Sequence, residues 1–177
     1  ERMSFEASLA QHCGAAMAGI KPASLAVCGA GRAAELAAFR EAFAGKGIRA
    51  EILLKRGERI TYLVFREEKL RAHLSREENA AFLAAFGYPD GMEERLLFLK
   101  VRMAGNCFPH EVGIFLGYPA EDVLGYMRDP GGCIFSGAWK VYSEPEKKRA
   151  LFARYKKCSG CIVRRLACGE TLAEIFR

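Results

Sequence analysis

Cys107, His110 and Glu111 are residue types that carry out nucleophilic chemistry, and they lie within five positions of one another. A thiol, an imidazole that takes its proton and a carboxylate that orients the imidazole outline an activated nucleophile. Pro109 presets the first turn of a helix, so His110 is expected near a helix N-terminus, where neutral imidazole is favoured and anions are attracted. The structural reading of the same residues is a cap that ties down the proline loop. The sequence places no oxyanion donor, so no catalytic residue is assigned. Cys107, His110 and Glu111 are candidate ligand-binding residues.

Cys158-Ser159-Gly160-Cys161 is a second chemical pattern. A structural zinc site needs two such pairs, or one pair with two suitably spaced histidines, and His12, His73 and His110 all lie far upstream. A redox pair of this spacing sits at a helix N-terminus, where the dipole stabilises a thiolate. This pair is expected instead at a helix-to-strand junction, so two ordinary thiols are preferred and no metal is assigned. Cys28-Gly29-Ala30-Gly31-Arg32 is half of a dinucleotide fingerprint, with Ala34 and Glu35 where the third glycine belongs. The following strand belongs to a hairpin, so a tight turn is the better reading.

Trp139, Lys140 and Tyr142 complete the candidate ligand-binding set. They open a segment, residues 140–165, with nine Lys/Arg against two Glu, whereas residues 1–139 balance at 17 of each sign. The net charge of +6 therefore comes from one stretch. It suits an anionic ligand, an acidic partner or nucleic acid, against the plain reading of a solvated cationic helix face. Nucleic acid is not favoured, because no recognisable binding-module pattern accompanies the aromatics.

The elements that must position these residues follow from periodicity. Phe5, Leu9 and Cys13 recur at helical spacing, predicting a helix from Ser4 to Met17. A short buried strand is expected over residues 23–28 and a helix from Arg32, with Leu36, Phe39 and Phe43 on one face. Ile48, Ala50, Ile52 and Leu54 alternate, turn at 55–58 and return as a strand over residues 59–66. Ser75-x-x-Glu78 reads as a capping box and Asp90 as the cap of the next helix. Two short helices are expected over 110–128, a strand over 134–142, a basic helix from Pro145 to about Lys157, a last strand over 161–166 and a terminal helical turn. Together these predict one α/β (α+β) domain over residues 1–177, with a mixed sheet of about four to five strands, including one antiparallel hairpin, packed with helices.

The stretch Phe108-Pro109-His110-Glu111-Val112-Gly113-Ile114-Phe115-Leu116-Gly117-Tyr118-Pro119, followed by Glu121-Asp122-Val123, resembles the signature of a bacterial family designated domain of unknown function 3793. Trp139-Lys140-Val141-Tyr142, Tyr155-Lys156-Lys157-Cys158, His12-Cys13 and Lys21-Pro22-Ala23 fit further blocks of that family, whereas Cys161 and Cys168 match no part of its pattern. The resemblance covers essentially the whole chain. It implies a cytoplasmic bacterial protein and no activity.

Bulk properties agree with a globular protein: 177 residues, 51% hydrophobic and 27% charged. No apolar run approaches the roughly 18 residues of a membrane span, and no signal peptide is read at the start. Seven scattered cysteines, an odd number, read as reduced thiols in a cytoplasm. The leading expectation is a binding or regulatory module for a small anionic ligand, held by the Pro-His-Glu helix start and the Trp139–Tyr142 strand. The alternatives are a thiol- or metal-dependent enzyme using Cys107, His110 and Glu111 or Cys158 and Cys161, and nucleic-acid binding through 140–165. No cofactor is assigned.

Overall fold

The expected hairpin forms from β2 (Ile48–Arg56) and β3 (Arg59–Arg66), joined by Gly57 and Glu58. Gly57 takes φ 57°, which a two-residue turn needs and glycine enters without steric cost. A computed structural model describes residues 2–177, and these form two compact units: residues 2–70 with Tyr155–Arg177, and Arg71–Arg154.

In the first unit β1 (Ser24–Gly29) pairs with the free edge of β3, from Ser24 opposite Val64 to Gly29 opposite Arg59. The order is β1-β3-β2 with every neighbouring pair antiparallel. The register slips between Ile52 and Leu54, so Leu53 is an extra residue in a bulge. Leu53 is therefore buried and Leu54 only partly so, which corrects the simple alternation expected for this strand. The helix α1 (Phe5–Met17) is capped by Ser4, whose hydroxyl accepts from Ala7 N at 3.1 Å. It buries Phe5, Leu9, Cys13 and Met17 in one cluster with Tyr62 and Val64 of β3 and with Leu36, Phe39 and Phe43 of α2 (Ala33–Ala44). Each such large side chain contributes about 1.5–3 kcal/mol when fully buried.

The last large element, α8 (Pro145–Ala167), begins in the second unit and ends in the first. Its Ile162 joins the first unit's core. A Cβ on Gly14 would meet Ile162 Cδ1 at 2.9 Å and Ser159 Cα at 3.2 Å, so α1 and α8 touch nearly backbone to backbone there. The strand expected over residues 161–166 is thus a correction: this segment is helix. Ile162, Val163 and Leu166 form a short apolar run that fits either period, and continuity with the helix behind it decides. A short helix, α9 (Leu172–Ile175), closes the chain behind a Thr171/Glu174 capping box.

The second unit is mostly helical: the end of α3 (Glu67–Leu74), α4 (Glu77–Ala85), α5 (Met92–Met103), α6 (Val112–Phe115), α7 (Ala120–Arg128) and the start of α8. Two expected caps are not used. Ser75 Oγ donates back to Arg71 O at 2.8 Å and finishes α3, leaving α4 without a side-chain cap. Asp90 does not cap α5, which starts after Gly91 at φ 90°. Its carboxylate instead faces buried Arg95 at 3.4 Å, and Arg95 also donates to Leu74 O at 2.8 Å and Pro89 O at 3.0 Å. The strand expected over 134–142 shrinks to β4 (Phe135–Ser136) and β5 (Lys140–Val141), because the next backbone N–H, that of Tyr142, bonds to the Asp122 carboxylate at 2.9 Å.

The α/β class and the antiparallel hairpin hold. The five strands lie in two antiparallel sheets, not in one mixed sheet. Among the described residues no helix is long and apolar enough to cross a membrane.

Candidate functional site

The Pro-His-Glu block is a structural corner of the second unit. Val112, Ile114, Phe115 and Leu116 are all buried, while His110 is partly accessible. The His110 ring packs between Phe108, at 5.8 Å, and Tyr126, at 5.1 Å. Glu111 is 1% exposed and accepts from Tyr88 Oη at 3.2 Å and Arg102 Nε at 2.8 Å. Burial, and then the Glu111 carboxylate, hold the Tyr88 phenol well above its usual range. Cys107 is exposed, and among the described residues no hydrogen bond joins it to His110. The three residues that outlined a nucleophile therefore diverge: thiol to solvent, imidazole to an aromatic edge, carboxylate to an internal ion pair.

Trp139, Lys140 and Tyr142 converge on α7. Asp122 is buried and accepts from Trp139 Nε1 at 2.8 Å and from Tyr142 N, and buried Lys148 lies 3.3 Å from the same carboxylate. Lys148 also donates to Ser143 O at 2.6 Å and Ser143 Oγ at 3.1 Å. Tyr142 Oη donates to Asp129 O, and a Cβ on Gly125 would strike the Tyr142 ring at 2.4 Å. A Cβ on Gly113 would meet the Tyr118 ring at 2.6 Å, and Trp139 stacks on Tyr118 with ring centroids 4.6 Å apart. Lys140 donates to Pro130 O and lies 5.5 Å over Tyr126, the ring that His110 also meets.

A cavity of about 360 Å³ opens in the same unit, and none of the six candidate residues lines it. Its walls are His73 and Asn79 from α3 and α4, the Gly117–Glu121 turn into α7, and Glu144, Lys147 and Lys148 at the start of α8. Pro119 supplies no side-chain cap to α7. The N–H groups of Asp122 and Val123 bond to Pro119 O, whereas those of Ala120 and Glu121 have no acceptor among the described residues. This is the positive end of a nine-residue helix presented to the cavity. Around the mouth, Arg76 pairs with Glu78 at 2.8 Å, Lys147 with Glu144 at 3.7 Å, and Lys148 lies 3.9 Å from Glu121. Glu144 holds φ 47°, the one non-glycine residue with positive φ among those described. Such a conformation costs on the order of 1–3 kcal/mol and persists only where the surroundings enforce it.

Deeper in the wall, the His73 Nε2–H donates to Ile114 O at 2.7 Å, which fixes the ring. Burial lowers the His73 pKa, with the Ile114 bond opposing. Asn79, 4% exposed, donates to His73 O at 2.8 Å through Nδ2. The sequence reading passed over His73, Asn79 and Arg76, because they flank a helix junction with no motif. Their common signal was three polar residues at a junction where Ser75 suggested only a cap.

The remaining chemical patterns are separated. Cys158 Sγ lies 4.0 Å from Gly14 O within the helix contact, and burial, then Cys161, raise its pKa. Its neighbour Ser159 faces Gly14, where the missing side chain lets α1 approach. Among the described residues no three His, Cys, Asp or Glu side chains converge as metal ligands. Of the nine cations in 140–165, Lys147, Lys148, Arg149 and Arg165 form ion pairs within the chain, and Arg149 also stacks 3.9 Å over Phe135.

No curated protein and no solved structure matches this chain. A family model described as a protein of unknown function (DUF3793) matches residues 9–176, and the chain belongs to that family.

Proposed function

We propose that the second unit is a binding module for a small ligand with an anionic group, seated in the cavity at the N-terminus of α7. One observation carries this reading: two backbone N–H groups of α7, without acceptors among the described residues, lie at a cavity whose rim carries Arg76 and Lys147. Helix N-termini bind anions through such donors and the helix dipole. The anion expected beside His110 is thereby moved some ten residues along the family block, to Gly117–Glu121. We place the protein in the cytoplasm of a bacterium, in keeping with seven free cysteines and the family resemblance.

The test is thermal shift and titration calorimetry with acetate, other small carboxylates, sulfate and phosphate. Ala120→Pro removes one of the two free donors. It suits the first helical position, and Pro119 already has the extended ψ of 147° that a residue before proline prefers. Binding by wild type that falls at least fivefold in Ala120→Pro, with melting temperature unchanged, supports the reading. No binding by any anion in the panel removes it.

A further inference from the structure

We propose that β1 is the docking edge for a second copy of this chain, joined antiparallel about a two-fold axis at Ala26, so that the sheet β2-β3-β1 continues into its mate. β1 is an outer strand of that sheet, paired on one side with β3. The phase of this pairing is fixed at its end, where Ala30 N donates to Glu58 O at 2.8 Å. Residues of an antiparallel strand bond alternately to one side and the other. Ser24, Ala26 and Cys28 therefore bond to β3, and the N–H and C=O groups of Leu25 and Val27 point away from it. Among the described residues no hydrogen-bond partner meets the backbone of Leu25 or Val27 on that outer side.

The two outer strands differ. β2 carries Arg49, Glu51, Lys55 and Arg56, and the bulge at Leu53 breaks its line. Charges and bulges are the devices by which outer strands avoid pairing with another chain. β1 has neither: Ser24–Gly29 contains no charged residue and no proline, its register is unbroken, and Val27 is 44% exposed. The chemistry of this edge says what covers it. Its outward donors and acceptors repeat along the strand, a pattern of partial charges matched by another extended backbone. The pattern is complementary to itself. Rotation about Ala26 places Leu25 of each copy opposite Val27 of the other, where each N–H meets a C=O, and no formal charge on either β1 opposes the approach. Such a two-fold contact closes on itself, so it gives a dimer and not a filament. A pair of six-residue strands is a small interface, of the weak, reversible class.

Sedimentation equilibrium of the full chain, from micromolar to millimolar concentration, should show a reversible monomer–dimer equilibrium. Amide exchange followed by NMR locates the contact. The N–H groups of Leu25 and Val27 should slow roughly fivefold or more across that range, while those of Ala26 and Cys28, bonded to β3 in both states, keep their rates. Val27→Pro removes an outward donor and leaves the β3 pairing untouched, the one setting in which an outer strand accepts proline. It should raise the dimer Kd roughly tenfold or more. Val27→Lys, which sets a charge from each copy at the contact, should do the same and decides where Val27→Pro does not fold. A chain that stays monomeric throughout the range overturns the proposal. So does a dimer that either folded variant leaves at wild-type strength, or one whose concentration-dependent slowing spares Leu25 and Val27, because the contact then lies elsewhere.

Discussion

The indole nitrogen of Trp139 donates to Asp122 Oδ2 at 2.8 Å, and the same carboxylate receives the backbone N–H of Tyr142 and faces the ammonium of Lys148 at 3.3 Å. One buried side chain of α7 therefore joins two family blocks, with Asp122 and Trp139 17 positions apart. It also holds the first turns of α8, which form one wall of the cavity. Trp139, Tyr142 and Lys148 serve this node before they can serve a ligand.

Asp122→Ala should cost about 3–5 kcal/mol, because it leaves the Lys148 charge buried without its partner. Urea denaturation measures the loss. Adding Lys148→Met to Asp122→Ala should recover part of it, since the stranded charge is then gone. Additive losses in this double-mutant cycle would show that the two side chains are not coupled.

His73 should make stability depend on pH. Burial sets its folded-state pKa below the unfolded value near 6.5. Between the two values the unfolded chain binds the extra proton, so stability is complete above pH 6.5, declines as pH falls toward the folded-state value, and changes no further below it. His73→Gln should flatten this part of the profile. Melting curves between pH 8 and 5 for both proteins check the sign.

Lys21 is held near the Tyr155 ring, at 5.8 Å, with no ion pair among the described residues. Burial lowers its pKa, and nearby Cys13 only partly opposes this. The folded state therefore disfavours its proton, and the penalty is relieved as pH rises through the folded-state value toward 10.5. Lys21→Met keeps the apolar stem without the charge. It should raise the melting temperature at neutral pH by about 2–4 °C, equivalent to roughly 1 kcal/mol in a chain of this size. Its advantage should shrink in alkaline buffer, and differential scanning calorimetry at two pH values reads both effects.

The thiols should separate by burial. Cys107, Cys161 and Cys168 are exposed, so they should react first with an alkylating reagent. Cys28 and Cys158, whose pKa values are raised chiefly by burial, should follow. Cys13 lies in the core with its thiol pushed up to about 12 and should react only on unfolding. Timed alkylation with peptide mass mapping gives the order. Rapid modification of Cys13 in the native protein would contradict the α1 packing.

Local rules settled much of the first unit from sequence. The stripe of Phe5, Leu9 and Cys13, the faces of α2 and the hairpin around Gly57 depend on neighbours within a few residues, so periodicity and turn chemistry specify them. The family block was legible too, and Val112, Phe115 and Leu116 within it are buried. Other features depended on partners distant in the chain. A bulge at Leu53 reversed an alternation that periodicity alone could not correct. Ser75 and Asp90 had the sequence of caps, but here the competing partners, Arg71 O and Arg95, are local, four and five residues away. Residues 161–166 fitted strand or helix equally until Gly14 let α8 pack on α1. The candidate site shows the same division. Sequence identified residues able to do chemistry, but which polar groups are already satisfied is a property of the packed fold. Glu111 and Trp139 have internal partners, whereas among the described residues the N–H groups of Ala120 and Glu121 have no acceptor, because only the packed fold brings donors and acceptors within reach or leaves them without one.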